Sequence, residues 1–386
     1  MKKIVVGIFL VFVLCGTISI TSEAAIKPVA INSSNFPDKI LRKKLSKKFD
    51  ENHNGVLSVK EIKQIQSVRF ETPFSLKSQK LNITGISKLK YITKLELDSD
   101  KIIGVKEIKK LNQLHILKIY TTRHKTLNLS KLKEVKKIQI SGDDLVSVNL
   151  KNCNKLKNLS ILWSSKLKKL DLSKTKNIKS LEIMEAKIKK LNWSELKNLT
   201  GLHLSDLPNL KDFDGSALPK LEWLTLYGTL KRVNLDISKM KNMKWLTVTG
   251  NKVMKELDIS NMPKLSRFKW NNGVLENIRW AKNNQYEDID VSNNKLSGSL
   301  DLCQFPKLFW FNCKNNKLEN IYAINHEHLD TLMCDNNRLK VIDLHHVEPR
   351  LISCTNNPNV EVWLYGPESG EESYTFDKTA KIHYTD

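Results

Sequence analysis

The chain runs to 386 residues with 64 lysines and arginines against 41 acids, a formal net charge of +23. That length ordinarily means two or three domains, and that charge draws anionic polymers such as teichoic acids, anionic glycans or nucleic acid. Only 8 of the 64 cations are arginine, and lysine with isoleucine and asparagine is what an AT-rich genome writes, so charge alone names no partner.

Met1-Lys2-Lys3 supplies a positive start, Ile4 to Ile20 is almost wholly apolar, and Ser22-Glu23-Ala24 stands before Ala25 at the spacing of a signal-peptidase site. Residues 1–24 read as a removed secretory signal. A retained anchor is the alternative, but an apolar run of about 17 residues is the short edge of what spans a bilayer. Lipid attachment at Cys15 is disfavoured by bulky Leu14 before it. No later segment is apolar enough to cross a membrane, and the five cysteines left after residue 24 make no closed disulfide framework.

Residues 25–66 form a small helical cap. Ser34 and Asn35 are expected to cap a helix with Pro37 near its first turn, and Leu41, Leu45 and Phe49 share one face. The next twelve residues have the form of an EF-hand loop, with side-chain oxygens on Asp50, Asn52, Asn54 and Ser58, a carbonyl from Val56, and Glu61 at position 12. Gly55 falls at position 6, where the turn needs a positive φ. Two charged ligands and no second loop imply weak calcium binding, about 0.1 to 1 mM or weaker. The competing reading is a metal-free turn closed by a capping box between Ser58 and Glu61.

Residues 67–366 are repetitive. Val68-Arg69-Phe70 is an opening strand, lengthened by Glu71 to Lys80. Thirteen times thereafter an apolar, a variable and a second apolar residue recur at steps of 20 to 22, starting from Leu95, Leu117, Ile138, Leu159, Leu181, Leu202, Leu224, Leu246, Phe268, Ile289, Phe311, Leu332 and Ile352. A register this regular means a solenoid of about 13–14 coils, one strand per coil, stacked in parallel. Asn251, Asn294, Asn316, Asn337 and Asn357 fall at the corner after each strand, where their amides can bond adjoining coils. Asp100, Asp143, Ser164 and Ala186 stand there in the amino-terminal coils, so that ladder should be looser. Cys313, Cys334 and Cys354 take the second apolar position of successive coils and read as small core residues. Trp270 and Trp280 also fall inward. The second halves close with phrases such as Leu170-Asp171-Leu172-Ser173 and are expected to be mostly irregular or turn-like. Residues 367–386 read as a tail or capping strand over the last coil.

The pattern Leu-x-x-Leu-x-Leu-x-x-Asn-x-Leu resembles the leucine-rich repeat family, and the Leu-Asp-Leu-Ser phrase resembles its bacterial 21-residue variety. A helical cap of EF-hand form before the first coil is similar to that of internalin-type surface proteins. The resemblance implies a leucine-rich repeat solenoid with a small α-helical cap, bacterial secretion or surface display, and binding of a macromolecular partner. The chain has no LPxTG-like motif and no apolar segment near residue 386, so retention at the wall would be non-covalent.

Enzyme signatures are absent. His326-Glu327-His328 lacks the spacing that puts two histidines on one helix face, Asp143-Asp144 reads as a solvated corner, and no phosphate loop, Gly-x-Ser-x-Gly elbow or CxxC pair occurs. The residue before each strand's first apolar member runs Gly201, Trp223, Trp245, Arg267, Asp288, Trp310. Trp223, Tyr227, Trp245, Arg267 and Trp310 therefore form the candidate surface for a protein partner. The alternative is a wall- or glycan-associated structural protein held by its basic coils: residues 101–200 carry 24 lysines or arginines against 8 acids. Specific nucleic-acid recognition is not expected.

Overall fold

The computed structural model describes residues 26–71, 80–120, 123–282, 285–366 and 373–385. The expected signal, 1–24, lies outside the described residues, as do Cys15 and most of the Glu71 to Lys80 insertion. Helix Lys39–Phe49 follows a short strand, Val29–Ala30, at the start of the described chain. Its cap is Asp38, not Ser34 or Asn35: the Asp38 carboxylate accepts from the N–H groups of Ile40 (2.7 Å) and Leu41 (2.9 Å). A carboxylate on the residue adjoining the first turn reaches both donors, whereas Asn35 is engaged upstream, donating to the Ala30 carbonyl at 2.8 Å.

From there the chain winds as a solenoid. One parallel sheet of 15 strands runs from Ser67–Glu71 to Ser373–Phe376. The thirteen repeating apolar residues pair one to one along it, Leu95 with Leu117, Leu117 with Ile138, and so on to Leu332 with Ile352. Each is at most 1 % exposed. The alternation drives this arrangement, because a strand sends every second side chain inward and one slipped residue would expose the whole apolar set. Burying each of these side chains contributes about 2 kcal/mol.

The second halves are more regular than expected. Short rear strands form parallel groups at Lys80–Asn82 with Lys101–Ile103, at 126–171, at 256–279, and in five strands from Ser297–Asp301 to Lys381–Thr385. Between the second and third groups, short 3-10 turns at Trp193–Leu196 and Gly215–Ala217 replace them. The end of the chain adds a strand to both sheets, Ser373–Phe376 beside Leu351–Cys354 and Lys381–Thr385 beside Glu361–Tyr365, and so makes a further coil.

Each corner is built in two steps. From residue 163 to residue 356 its first residue is left-handed in every coil: Trp163, Glu185, Asp206, Gly228, Gly250, Asn272, Asn293, Asn315, Asn336 and Asn356 all have φ between 47° and 83°. The next residue supplies the ladder. Asn337 donates to the carbonyls of Cys313 and Cys334, each 3.0 Å, and accepts from Leu318 N–H at 3.0 Å. Asn294, Asn316 and Asn357 bond adjoining coils in the same way, and Asn251 reaches the Val233 carbonyl. In the earlier coils the rung is missing: Ser164 bonds only the Leu162 carbonyl of its own coil, and Ala186 has no polar group. Cys313, Cys334 and Cys354 are stacked, fully buried and free. Trp270 is fully buried, while Trp280 is half-buried in an aromatic cluster with Phe268, Tyr286 and Phe305.

Candidate binding surface and amino-terminal loop

The strand register places Trp223 beside Trp245, Trp245 beside Arg267, Arg267 beside Asp288 and Asp288 beside Trp310, a single file on the outer face of the main sheet. Neighbours in such a file are about 4.8 Å apart. Trp223 and Trp245 are 41 % and 47 % exposed, and Tyr227, on the same face of the Trp223 strand, is 53 % exposed.

The two indoles are held differently. A Cβ on Gly201 would lie 2.0 Å from Cζ2 of Trp223, so that ring lies across the bare backbone of the preceding coil. Trp245 donates from Nε1 to Thr247 Oγ at 3.0 Å, with the Arg267 guanidinium 5.3 Å from its ring centroid. Arg267 in turn pairs with Asp288 at 3.3 Å. The structure thus brings Trp223, Tyr227, Trp245 and Arg267 together. Trp310 shares the file but is half-buried and set apart from the indole pair by Arg267 and Asp288.

The loop after the first helix has the hydrogen bonds of a closed turn. Asp50 accepts from the N–H groups of Asn54 (3.1 Å) and Gly55 (2.9 Å), and Asn54 Oδ1 accepts from Val56 N–H (2.8 Å). Glu61 accepts from Glu51 N–H (2.8 Å) and Ser58 N–H (2.7 Å), which with Ser58 Oγ completes a capping box. Gly55 has φ +78°. Val56–Leu57 pairs antiparallel with Val29–Ala30, so a short strand of the cap stands where a second loop would pair. Both carboxylates are buried, Asp50 at 2 % and Glu61 at 3 % exposure. The Ser58 side chain, ahead of its backbone N–H, holds the Glu61 carboxyl below its ordinary value.

Other sequence candidates resolve as structural groups. His326 is buried, bonds the Phe305 carbonyl at 2.9 Å, and is pushed below its ordinary pKa by burial. Among the described residues no three His, Cys, Asp or Glu side chains are grouped to hold a metal ion, and no helix is long and apolar enough to cross a membrane. Asp143-Asp144 is more than a solvated corner. With Asp100, Arg123 and Trp163 it borders a cavity of about 530 Å³. Trp163, 53 % exposed, was not singled out from sequence; its signal is a tryptophan in the corner file that carries glycine or asparagine from Gly228 onward, after Glu185 and Asp206.

No family model and no curated protein matches the chain. Solved structures do. The functional domain of InlJ from Listeria monocytogenes, which includes a cysteine ladder, is 18 % identical with a TM-score of 0.61, covering 89 % of this chain and 83 % of that one. An internalin from the same organism, InlF, is also 18 % identical, with a TM-score of 0.52 and 94 % of each chain covered. The likeness is one of fold: the chain is a leucine-rich repeat solenoid, similar in architecture to these Listeria internalins.

Proposed function

We propose that the protein is a secreted or surface-associated binding module that holds a protein partner on the outer face of its main sheet, at Trp223, Tyr227, Trp245 and Arg267. The carrying observation is the pair of exposed indoles one coil apart, each held in a defined orientation, by Gly201 beneath one and by Thr247 and Arg267 around the other. Rigid aromatic anchors lose little freedom on binding, which is why they dominate interface energetics. The apolar run Ile4 to Ile20 supports export. The test is capture by the 25–386 protein on intact cells at about 0.5 M salt, where the screening length is a few ångströms. A partner retained by the parent and lost by Trp223→Ala/Trp245→Ala supports the proposal; equal retention by both overturns it.

One further observation favours retention by an anionic polymer, the alternative role. Lys136, Lys157 and Lys179 are exposed and follow one another along the backbone ladder, each N–H bonding the carbonyl of the residue before it in the file. Attachment by this edge would wash off at high salt, and its loss from Lys136→Gln/Lys157→Gln/Lys179→Gln at low salt is the check.

The loop donors also fit calcium in kind: all are oxygens, two of them carboxylate, on a turn that already has the required glycine. Asp50, Asn52, Asn54, Val56, Ser58 and Glu61 would hold one ion within the cap. Calorimetry at millimolar calcium should give heat with the parent and none with Asp50→Ala or Glu61→Gln; no heat in the parent removes the proposal.

A further inference from the structure

Trp163 stands where the fold does not want a tryptophan. Its φ is +47°, in a file that uses glycine or asparagine at every coil from Gly228 to Asn356. A residue with a Cβ costs roughly 1–2 kcal/mol there, and asparagine less because its amide bonds locally. Burial does not offset that cost, since the ring is 53 % exposed. A bulky residue kept in a strained and solvent-facing position points to use.

What it faces is built. The cavity of about 530 Å³ beside Trp163 is bordered by Asp100, Arg123, Asp143 and Asp144. This lies within the range of about 300–1,000 Å³ common to small-ligand sites. Asp100 pairs with Arg123 at 3.2 Å and Asp144 with Lys166 at 2.6 Å. Two carboxylates are therefore already matched by cations, which disfavours a cationic guest. Carboxylate oxygens accept from hydroxyls and a guanidinium donates to them, while the indole offers a flat apolar face. A pyranose ring matches both: its hydroxyls lie around the rim, and its axial C–H bonds, slightly positive, pack on the negative face of an aromatic ring.

We propose that Trp163, with Asp100, Arg123, Asp143 and Asp144, forms a subsite for a neutral pyranose of a glycan. It is separate from the Trp223 and Trp245 surface and does not depend on it.

The experiment is saturation-transfer NMR on the purified protein with the methyl glycosides of glucose, galactose, mannose and N-acetylglucosamine at millimolar concentration, with choline as the cationic probe. Transfer to at least one glycoside, at least tenfold weaker in Trp163→Asn and weakened in Asp144→Asn, is expected. Because asparagine suits the left-handed corner, Trp163→Asn should melt no lower than the parent; Trp223→Ala should leave the transfer unchanged. Transfer to choline alone, no transfer to any glycoside, full transfer in Trp163→Asn, or a lowered Tm in that variant each overturns the proposal.

Discussion

The indole of Trp223 occupies space that a side chain on Gly201 would fill, Cζ2 standing 2.0 Å from the site of the missing Cβ. The aromatic surface therefore depends on a residue of the preceding coil that carries no side chain of its own. Gly201→Ala should keep the fold, because the ring can swing away, at a cost of about 1–2 kcal/mol. It should also shift the tryptophan fluorescence and weaken partner capture much as Trp223→Ala does. Unchanged spectrum and capture would show that the contact does not orient the ring.

Asn337→Ala removes bonds to the Cys313 and Cys334 carbonyls, which keep Asn316 and Asn357 as donors, and leaves the buried Leu318 N–H without its side-chain acceptor. The expected loss is about 1–3 kcal/mol, read as a fall in Tm. Ala186→Asn, at the same corner of an earlier coil, should not lower Tm; a loss as large as that of Asn337→Ala would show that the corner does not accept the rung.

Asp335 sets an acid limit for the carboxy-terminal coils. Burial works to raise its pKa, but Lys314 at 2.6 Å and bonds from Ser353 and Thr355 outweigh that and hold it at about 2. A depressed carboxyl stabilises the fold above its ordinary value of 3.8 and ceases to do so as pH falls through about 2. Denaturant unfolding should show on the order of 2 kcal/mol lost across that window. Asp335→Asn should show that loss at neutral pH and a flatter acid limb; an acid limb as steep as the parent's would assign the transition to other groups.

Thiol chemistry separates core from surface. Cys313 and Cys334 are pushed well above the ordinary thiol pKa by burial, and Cys153 and Cys354 are buried with them. Cys303 is exposed, yet its pKa is raised to about 11, by desolvation first and by Asp301 second. Among the described cysteines, iodoacetamide at pH 8 should modify only Cys303 in native protein, and slowly, because little thiolate is present. Mass mapping that finds Cys334 modified before unfolding would contradict the stacked core.

Much of the fold was legible in the sequence. Strand alternation repeated at 20 to 22 residues leaves one arrangement that buries every apolar pair, so Leu95 to Ile352 could be placed in one file before any coordinates. The aromatic file was legible for the same reason, since register along a parallel stack follows directly from spacing. The helix cap was misplaced because Ser34, Asn35 and Asp38 are all good caps, and only the path of the chain decides which one adjoins the first turn. Rear strands were underestimated because three-residue phrases carry little pattern of their own; they form when neighbouring coils align them.

By itself, then, the sequence determined the periodic architecture, the inward columns and the outward file, because burial acts on each residue according to its position in the repeat. Tertiary structure alone decided how those side chains are held: Trp223 across Gly201, Arg267 over Trp245, and Trp163 beside Asp100, Arg123 and Asp144. These relations join residues 19 to 63 positions apart, and their geometry depends on backbone angles and on which coil each ring leans toward, neither of which spacing encodes.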